Sequence, residues 1–251
     1  MIVRKSKTEI ETMGRAGRVV ASTLALLGEL VKPGVTTAEL DEAAEKHIRS
    51  EGGVPTFKGY RGFPASICAS PNSMVVHGIP GPYTLREGDL ISVDVGVTLD
   101  GFVADSAYTF AVGEVDGDAK RLLEVCQAAL AAGIRQARAG NHVQDISAAV
   151  QRTTEEAGFS VVRSLVGHGI GRSMHEEPQV PNFGEPGRGP LLQPGMTLAI
   201  EPMINAGGPD VWMAEDRWSI STDDDSLSAH FEHTVAVTDN GPLVLTTPEK
   251  A

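Results

Sequence analysis

The sequence predicts a single α/β domain whose two similar halves are related by a pseudo-twofold axis. Three observations predict it: helical periodicity yields to strand alternation by residue 90, the same plan restarts after residue 115, and matched positions recur at one spacing in both halves.

Residues 8–31 place Ile10, Met13, Val20, Leu24, Leu27 and Leu30 at helical spacing with charge on the opposite side, and Pro33 and Gly34 end that helix. Thr36 with Glu39 three residues later forms a capping box that opens a second helix to about Glu51, stopped by Gly52 and Gly53. In residues 90–98, Ile91, Val93, Val95 and Val97 alternate with Ser92, Asp94, Gly96 and Thr98, a strand with one apolar face. Asp100-Gly101 is a hairpin signal, and residues 102–110 return as its partner. After residue 115 come a helix over 119–138, a glycine break, a second helix and further strands. At an offset of 106, Gly34 matches Gly140, Leu40 matches Ile146, Ala43 matches Ala149, Ala44 matches Val150 and Gly52 matches Gly158. If these matches mark a duplication, Asp94 lands one residue from Glu201, and each half brings acids to a site where the halves meet.

Composition narrows the function. The 251 residues are 41% hydrophobic and 22% charged, enough for a real core. Only Cys68 and Cys126 are present, so no disulfide framework is expected and a reducing compartment is. With 33 Asp+Glu against 21 Lys+Arg, the formal charge of -12 repels phosphate backbones and anionic lipid, so neither nucleic acid nor a membrane is an expected partner. Lys5, Lys7, Glu9, Glu11 and Arg15 interrupt any apolar run that a secretory signal needs, and no span approaches the ~20 apolar residues of a membrane helix. The cytoplasm is the expected location.

A two-residue turn at Asp100-Gly101 sets Leu99 opposite Phe102, which makes Asp94 and Asp105 diagonal neighbours on one face. Such carboxylates repel unless something cationic intervenes, and neither strand holds a Lys or Arg. A solvated surface hairpin is the commoner reading of a lone pair of acids. Two further acids in apolar surroundings weigh against it: Glu201 follows Leu198-Ala199-Ile200, and Glu232 sits in the strand-like run 228–237. His168 lies in Val-Gly-His-Gly-Ile-Gly, read as a glycine-flanked loop that lets backbone pass close to a packed site. Asp94, Asp105, Glu201 and Glu232 carry four negative charges, which two divalent ions neutralise. With one imidazole they form a hard donor set suited to Mn, Fe(II) or Co(II).

These residues, with His77-Gly-Ile-Pro, His168-Gly-Ile-Gly, His175-Glu-Glu-Pro, Glu201-Pro-Met and Glu232-His-Thr, together resemble type I methionine aminopeptidase, and the resemblance covers nearly the whole chain. It implies the pita-bread fold, with a central, mostly antiparallel sheet between two pseudo-symmetric halves (about 8–113 and 117–245) and helices on the outer face. Residues 1–251 would form one catalytic domain. The resemblance implies a metallo-aminopeptidase that removes the initiator methionine from nascent proteins and peptides, through attack of a metal-bridging water or hydroxide on the first peptide bond. Carried over by position, Asp94 would hold one metal, His168 and Glu201 the other, and Asp105 and Glu232 both. Glu201 would also accept the proton, while His77 and His175 would contact substrate and the developing oxyanion. Phe57, Tyr60, Phe63, Cys68, Met174 and Trp218 would line the methionine pocket.

Phe57 and Val76 stand where some relatives carry a small thiol, and His230 where many have Gln. His47, His142 and His233 keep structural readings. Proline-specific aminopeptidases share the fold and ligands but usually carry an additional N-terminal domain, for which this chain leaves no room. A binding module that had lost catalysis would have lost a ligand, and none is lost. Glu201 to Glu232 spans only 31 residues, too few for the helical insertion of type II members. Arg4, Lys5 and Lys7 are a candidate ribosome contact, with a solvated terminus the preferred reading. A monomer is expected.

Overall fold

The computed structural model describes residues 1–247. Helix α1 (Lys7–Leu30) begins at a capping box in which Ser6 Oγ accepts from Glu9 N–H and the Glu9 carboxylate accepts from Ser6 N–H. The same device opens α2 (Thr37–Ser50) at Thr36 and Glu39. Each cap satisfies two otherwise orphaned helix-end amides and contributes about 1 kcal/mol. The first half continues through β1 (Val54–Pro55), β2 (Ile67–Pro71), β3 (Met74–Val76), β4 (Leu90–Leu99) and β5 (Phe102–Ala111). In the second half, α3 (Gly117–Gln136) is capped by Asp116, and α4 (Val143–Glu156) starts where the Asp145 carboxylate accepts from His142 N–H. Ten strands follow: β6 (Ser160–Val161), β7 (Val166–Gly169), β8 (Glu176–Pro181), β9 (Thr197–Ile200), β10 (Met203–Asn205), β11 (Val211–Met213), β12 (Ile220–Thr222), β13 (Ser228–His230), β14 (His233–Thr238) and β15 (Gly241–Val244).

The two halves repeat in detail. α2 and α4 are displaced by 106 residues at both ends, and so are β1 and β6. Gly34 and Gly140 both adopt φ +94, a left-handed conformation that glycine reaches without a Cβ clash. Gly34 N–H donates to Leu85 O and Gly140 N–H to Leu192 O, the same bond one half apart. By the strands the spacing has become 107: Pro55 pairs with Val97 as Val161 pairs with Ile204. That register makes Glu201 the structural counterpart of Asp94, closing the one-residue gap left by the sequence overlay.

Every strand pairing among the described residues is antiparallel. The strands form four ladders: β1-β4-β2 with β5 added on β4, β13-β10-β6, β11-β12-β3, and β15-β14-β9-β7-β8. Residues 228–237, read as one strand, are two: Phe231 and Glu232 separate β13 from β14, and Glu232 N–H instead bonds to Ala107 O of β5. β5 thus joins the halves along the axis. Asp105 N–H donates to Thr234 Oγ1, and Thr109 Oγ1 donates to His230 O.

Each half keeps its own core beneath its helix pair. Ile91, Val93, Val95 and Val97 are fully buried against α1 and α2 in one, and Leu198, Ile200, Val235 and Val237 are buried with α3 and α4 in the other. A buried side chain of this kind stabilises by roughly 1.5–3 kcal/mol. A third apolar cluster, including Met13, Phe57, Phe63, Cys68, Phe102 and Met174, lies between the halves and walls the site. No described helix is long and apolar enough to cross a membrane.

Within the basic N-terminal start, Arg4 and Lys7 are exposed, as a solvated terminus implies, and Lys5 is not. Lys5 is 7% exposed and pairs with Glu176 at 2.5 Å, while Arg4 Nε donates to Pro194 O. Lys5 is therefore held inside the fold.

Candidate metal centre

The hairpin of β4 and β5 has the register that its turn implies: Leu99 faces Phe102, Gly96 faces Asp105, and Asp94 faces Ala107. The polar face of β4 looks into the protein, with Ser92 and Gly96 buried and Asp94 partly buried, and β2 pairs beside it with Cys68 opposite Asp94. Glu201 follows β9 at the matching place in the other half, and Glu232 fills the break between β13 and β14. His168 lies in β7, inside the five-stranded ladder, and not in the loop its glycines suggested. Those glycines serve close packing: a Cβ on Gly167 would sit 2.4 Å from Ala199 O, and one on Gly169 2.2 Å from Glu177 O.

One cavity of about 310 Å³ collects these groups, at the low end for ligand sites. Asp94, Asp105, His168, Glu201 and Glu232 line it, as do His77, His175, Phe57, Tyr60, Phe63, Cys68, Met174 and Trp218. Every residue singled out from the sequence for metal, catalysis or substrate is brought to this one space. Ser164, Leu165, Val166 and Met203 also line it, and among the described residues Arg61 is the one Lys or Arg that does.

Single donor atoms of Asp105, His168 and Glu232 lie within 4.8 Å of one another. His168 Nε2 is 3.8 Å from Asp105 Oδ2 and 3.4 Å from Glu201 Oε1. The His168 tautomer follows from its other nitrogen. Nδ1 lies 2.9 Å from Gly169 O, so it carries the proton and Nε2 turns a lone pair toward the carboxylates. Burial also holds His168 below the usual imidazole range, and hence neutral.

The carboxylates are out of balance with their surroundings. Burial pushes Asp94, Glu201 and Glu232 well above the carboxylate range, and the negative charge of Asp105 adds to each shift. Asp105 rises to about 6 through burial, moderated by hydrogen bonds from Thr234 and Glu232. Asp94 Oδ1 and Glu232 Oε1 are buried without any partner, a costly arrangement for acceptor atoms. Four converging carboxylates, unpartnered oxygens and an imidazole lone pair fit divalent cations of the hard-to-borderline class.

The two other histidines flank this cluster. His77 has φ 61, and the next residue is pinned to β2 through both its backbone groups, since Ser70 Oγ accepts from Gly78 N–H and Gly78 O accepts from Ala69 N–H. Burial lowers His77 to about 4. The His175 ring lies 4.3 Å from that of His168, and its Nδ1 shares a 2.8 Å hydrogen bond with Tyr60 Oη. Burial of the ring also lowers His175, although the residue as a whole stands at the exposed mouth. Phe63 and Trp218 meet edge to face at 5.1 Å beside it.

Sequence reasoning missed the supports. Thr234 Oγ1 lies 3.1 Å from Asp105 Oδ1, and Asn182 Nδ2 donates to Glu201 O. Thr234 was findable, because it stands two residues from Glu232 in an alternating run; Asn182 left no local signal. His230 is buried with Nε2 unpartnered, 3.7 Å from Glu201 Oε2, so each oxygen of Glu201 faces a different imidazole. His47 bonds Ser22, His142 starts α4, and His233 Nδ1 bonds Thr246 Oγ1, all structural contacts.

The sequence pattern of metallopeptidase family M24 matches residues 11–239. A methionine aminopeptidase of Clostridium perfringens is 51% identical over 246 residues, covering 98% of this chain and 99% of that protein. Methionine aminopeptidase 1 of Bacillus subtilis is 48% identical over 246 residues, with the same coverage of 98% and 99%. The crystal structure of methionine aminopeptidase from Rickettsia prowazekii superposes with a TM-score of 0.97 at 41% identity, covering 98% of this chain and 100% of that one.

Proposed function

The chain belongs to metallopeptidase family M24, with the pita-bread architecture, and from that premise we propose that it works as one catalytic domain with two divalent ions, of Co, Mn or Fe(II), held by Asp94, Asp105, His168, Glu201 and Glu232. It is an aminopeptidase that removes N-terminal methionine from peptides and nascent chains. The observation that carries the metal assignment is that four carboxylates from both halves, Asp105 and Glu232 of them buried, line one cavity with the His168 lone pair, and that Asp94 Oδ1 and Glu232 Oε1 are buried and unpartnered.

Bound ions supply Lewis acidity toward the first peptide carbonyl and make water a stronger acid near neutral pH. The chain's own residues then divide the remaining work. Glu201, whose two oxygens face His168 and His230, would accept the proton that the attacking water gives up and return it to the departing amine. His77 and His175 stay neutral at pH 7, so each presents an N–H donor to the oxygen that becomes negative, a contact that strengthens only in the transition state.

Phe57, Tyr60, Phe63, Cys68, Met174 and Trp218 form an apolar wall beside these groups. Aromatic rings and a thioether suit the flexible, polarisable methionine side chain. Phe57 sets the width of this wall, because its ring packs over Gly96, where a Cβ would sit 2.6 Å from Phe57 Cε1. The test is hydrolysis of Met-Ala-Ser against an Ala-Pro peptide after metal reconstitution. Cleavage of Met-Ala-Ser alone is expected; cleavage of Ala-Pro alone indicates a proline-specific enzyme, and cleavage of neither indicates a binding module.

A further inference from the structure

We infer that Lys5, in the segment ahead of α1, is a positioning residue for the loop of residues 170–175, acting through its ion pair with Glu176. That loop joins β7 to β8 and carries Met174 and His175 into the cavity. The role of the loop rests on the aminopeptidase reading; the way it is held does not.

The latch is a set of directed bonds around one carboxylate. Glu176 is the first residue of β8, and its Oε1 accepts from Arg172 N–H at 2.8 Å and Ser173 N–H at 3.2 Å, so the loop is wound onto that oxygen. Oε2 takes Lys5 Nζ at 2.5 Å. The ammonium also donates to Val3 O at 3.3 Å, and Lys5 N–H donates to Gly195 O at 2.6 Å, which pins the lysine backbone to the turn before β9. The lysine stem passes directly over Gly171: a Cβ there would lie 2.3 Å from Lys5 Cε. Gly171 O in turn accepts from Val103 N–H of β5 at 2.7 Å.

Burying a lysine is costly unless it is paired, and an apolar pair of the same size would fill the space at no greater cost. What the charged pair adds is fixed geometry. A carboxylate saturated on both oxygens cannot turn, so the two amides it holds, and His175 next to it in sequence, stay in register with His168. The residue thus acts on substrate binding and on the oxyanion donor without touching either.

The test compares wild type with Lys5→Met in the metal-loaded protein, reading amide exchange at residues 171–176, manganese affinity, and kcat and KM on Met-Ala-Ser. We expect the Arg172 and Ser173 amides to exchange at least about ten-fold faster and kcat/KM to fall by roughly ten- to a hundred-fold, as misplacing a binding group by about 1 Å does. Manganese affinity should stay within about two-fold, because the metal donors belong to other segments. The Lys5→Met, Glu176→Gln double variant, which leaves no unpaired charge, should lie between wild type and Lys5→Met, and it carries the test if the single variant does not fold. Wild-type exchange and kcat/KM in either folded variant overturn the inference. So does a fall in manganese affinity that matches the fall in activity, since that marks general unfolding. If wild type itself leaves Met-Ala-Ser intact, the aminopeptidase reading fails, and loop exchange still reports on the latch.

Discussion

Removing the metals leaves four carboxylates facing one another, and the cost has a definite sign in pH. Asp105 moves from an ordinary 3.8 to about 6, chiefly through burial. A carboxyl raised in the folded chain contributes stability that is complete below its unfolded value, near 4, and lost as pH rises through 6. At pH 7 that loss is about 3 kcal/mol for Asp105 alone. For a chain of this size, 1 kcal/mol moves the melting temperature by about 2–4 °C, so chelation at pH 7 should lower it by roughly 6–12 °C. Asp94, Glu201 and Glu232 are raised as well, so the gap between loaded and metal-free protein should widen as pH rises through 6 and above. His77, His230 and His233 work in the opposite direction. Their folded values of about 4, 3 and 4 put their stability above the ordinary imidazole value and remove it as pH falls. They are present in both forms and cancel in the difference. The assay is paired thermal melts with and without chelator across that range. A gap that is absent, or that narrows as pH rises, refutes the picture of uncompensated buried anions.

Asp105→Ala should abolish hydrolysis of Met-Ala-Ser and lower the bound metal by at least one ion per chain; normal turnover with full metal content contradicts the bridging assignment. Thr234→Val removes the hydroxyl 3.1 Å from Asp105 Oδ1, and metal affinity in a titration should drop by roughly ten-fold or more. Gly96→Ala should drive the Phe57 ring from its place, raising KM for Met-Ala-Ser more than it lowers kcat. An unchanged KM would mean that Phe57 does not border the methionine side chain.

What was legible in the sequence was what local rules decide. The capping box at Thr36, the Asp100-Gly101 turn and the alternation of residues 90–98 each depend on residues a few positions apart, and the register of Asp94 against Asp105 followed from the turn alone. The break at Phe231–Glu232 was invisible because it is set by a partner far off in sequence: Glu232 N–H gives up strand continuity to bond Ala107 O of β5. His168 looked like a loop residue because glycines usually mark turns. Here Gly167 and Gly169 are small because neighbouring backbone lies within reach of a Cβ on either side. Lys5 was unreadable for a similar reason, since its partner is 171 residues away.

The overlay of the halves shows where symmetry stops and chemistry starts. Asp94 and Glu201 are equivalent, but His168 has no histidine counterpart. In the first half Ser70 pairs with Ser92, and in the second His168 pairs with Ala199, with Ser92 and Ala199 themselves 107 apart. Ser70 therefore stands where His168 stands. No fixed-offset alignment reveals this, because the segment before β7 is shorter than the one before β2. The two equivalent places serve different ends: His168 turns a lone pair to the metal donors, whereas Ser70 accepts Gly78 N–H and helps hold His77 at φ 61. A site on an exact twofold axis would carry the same group twice. Under the proposed assignment, divergence at this position would let one half supply a metal donor while the other supports an oxyanion donor, and that asymmetry would give the cavity a direction for a bound peptide.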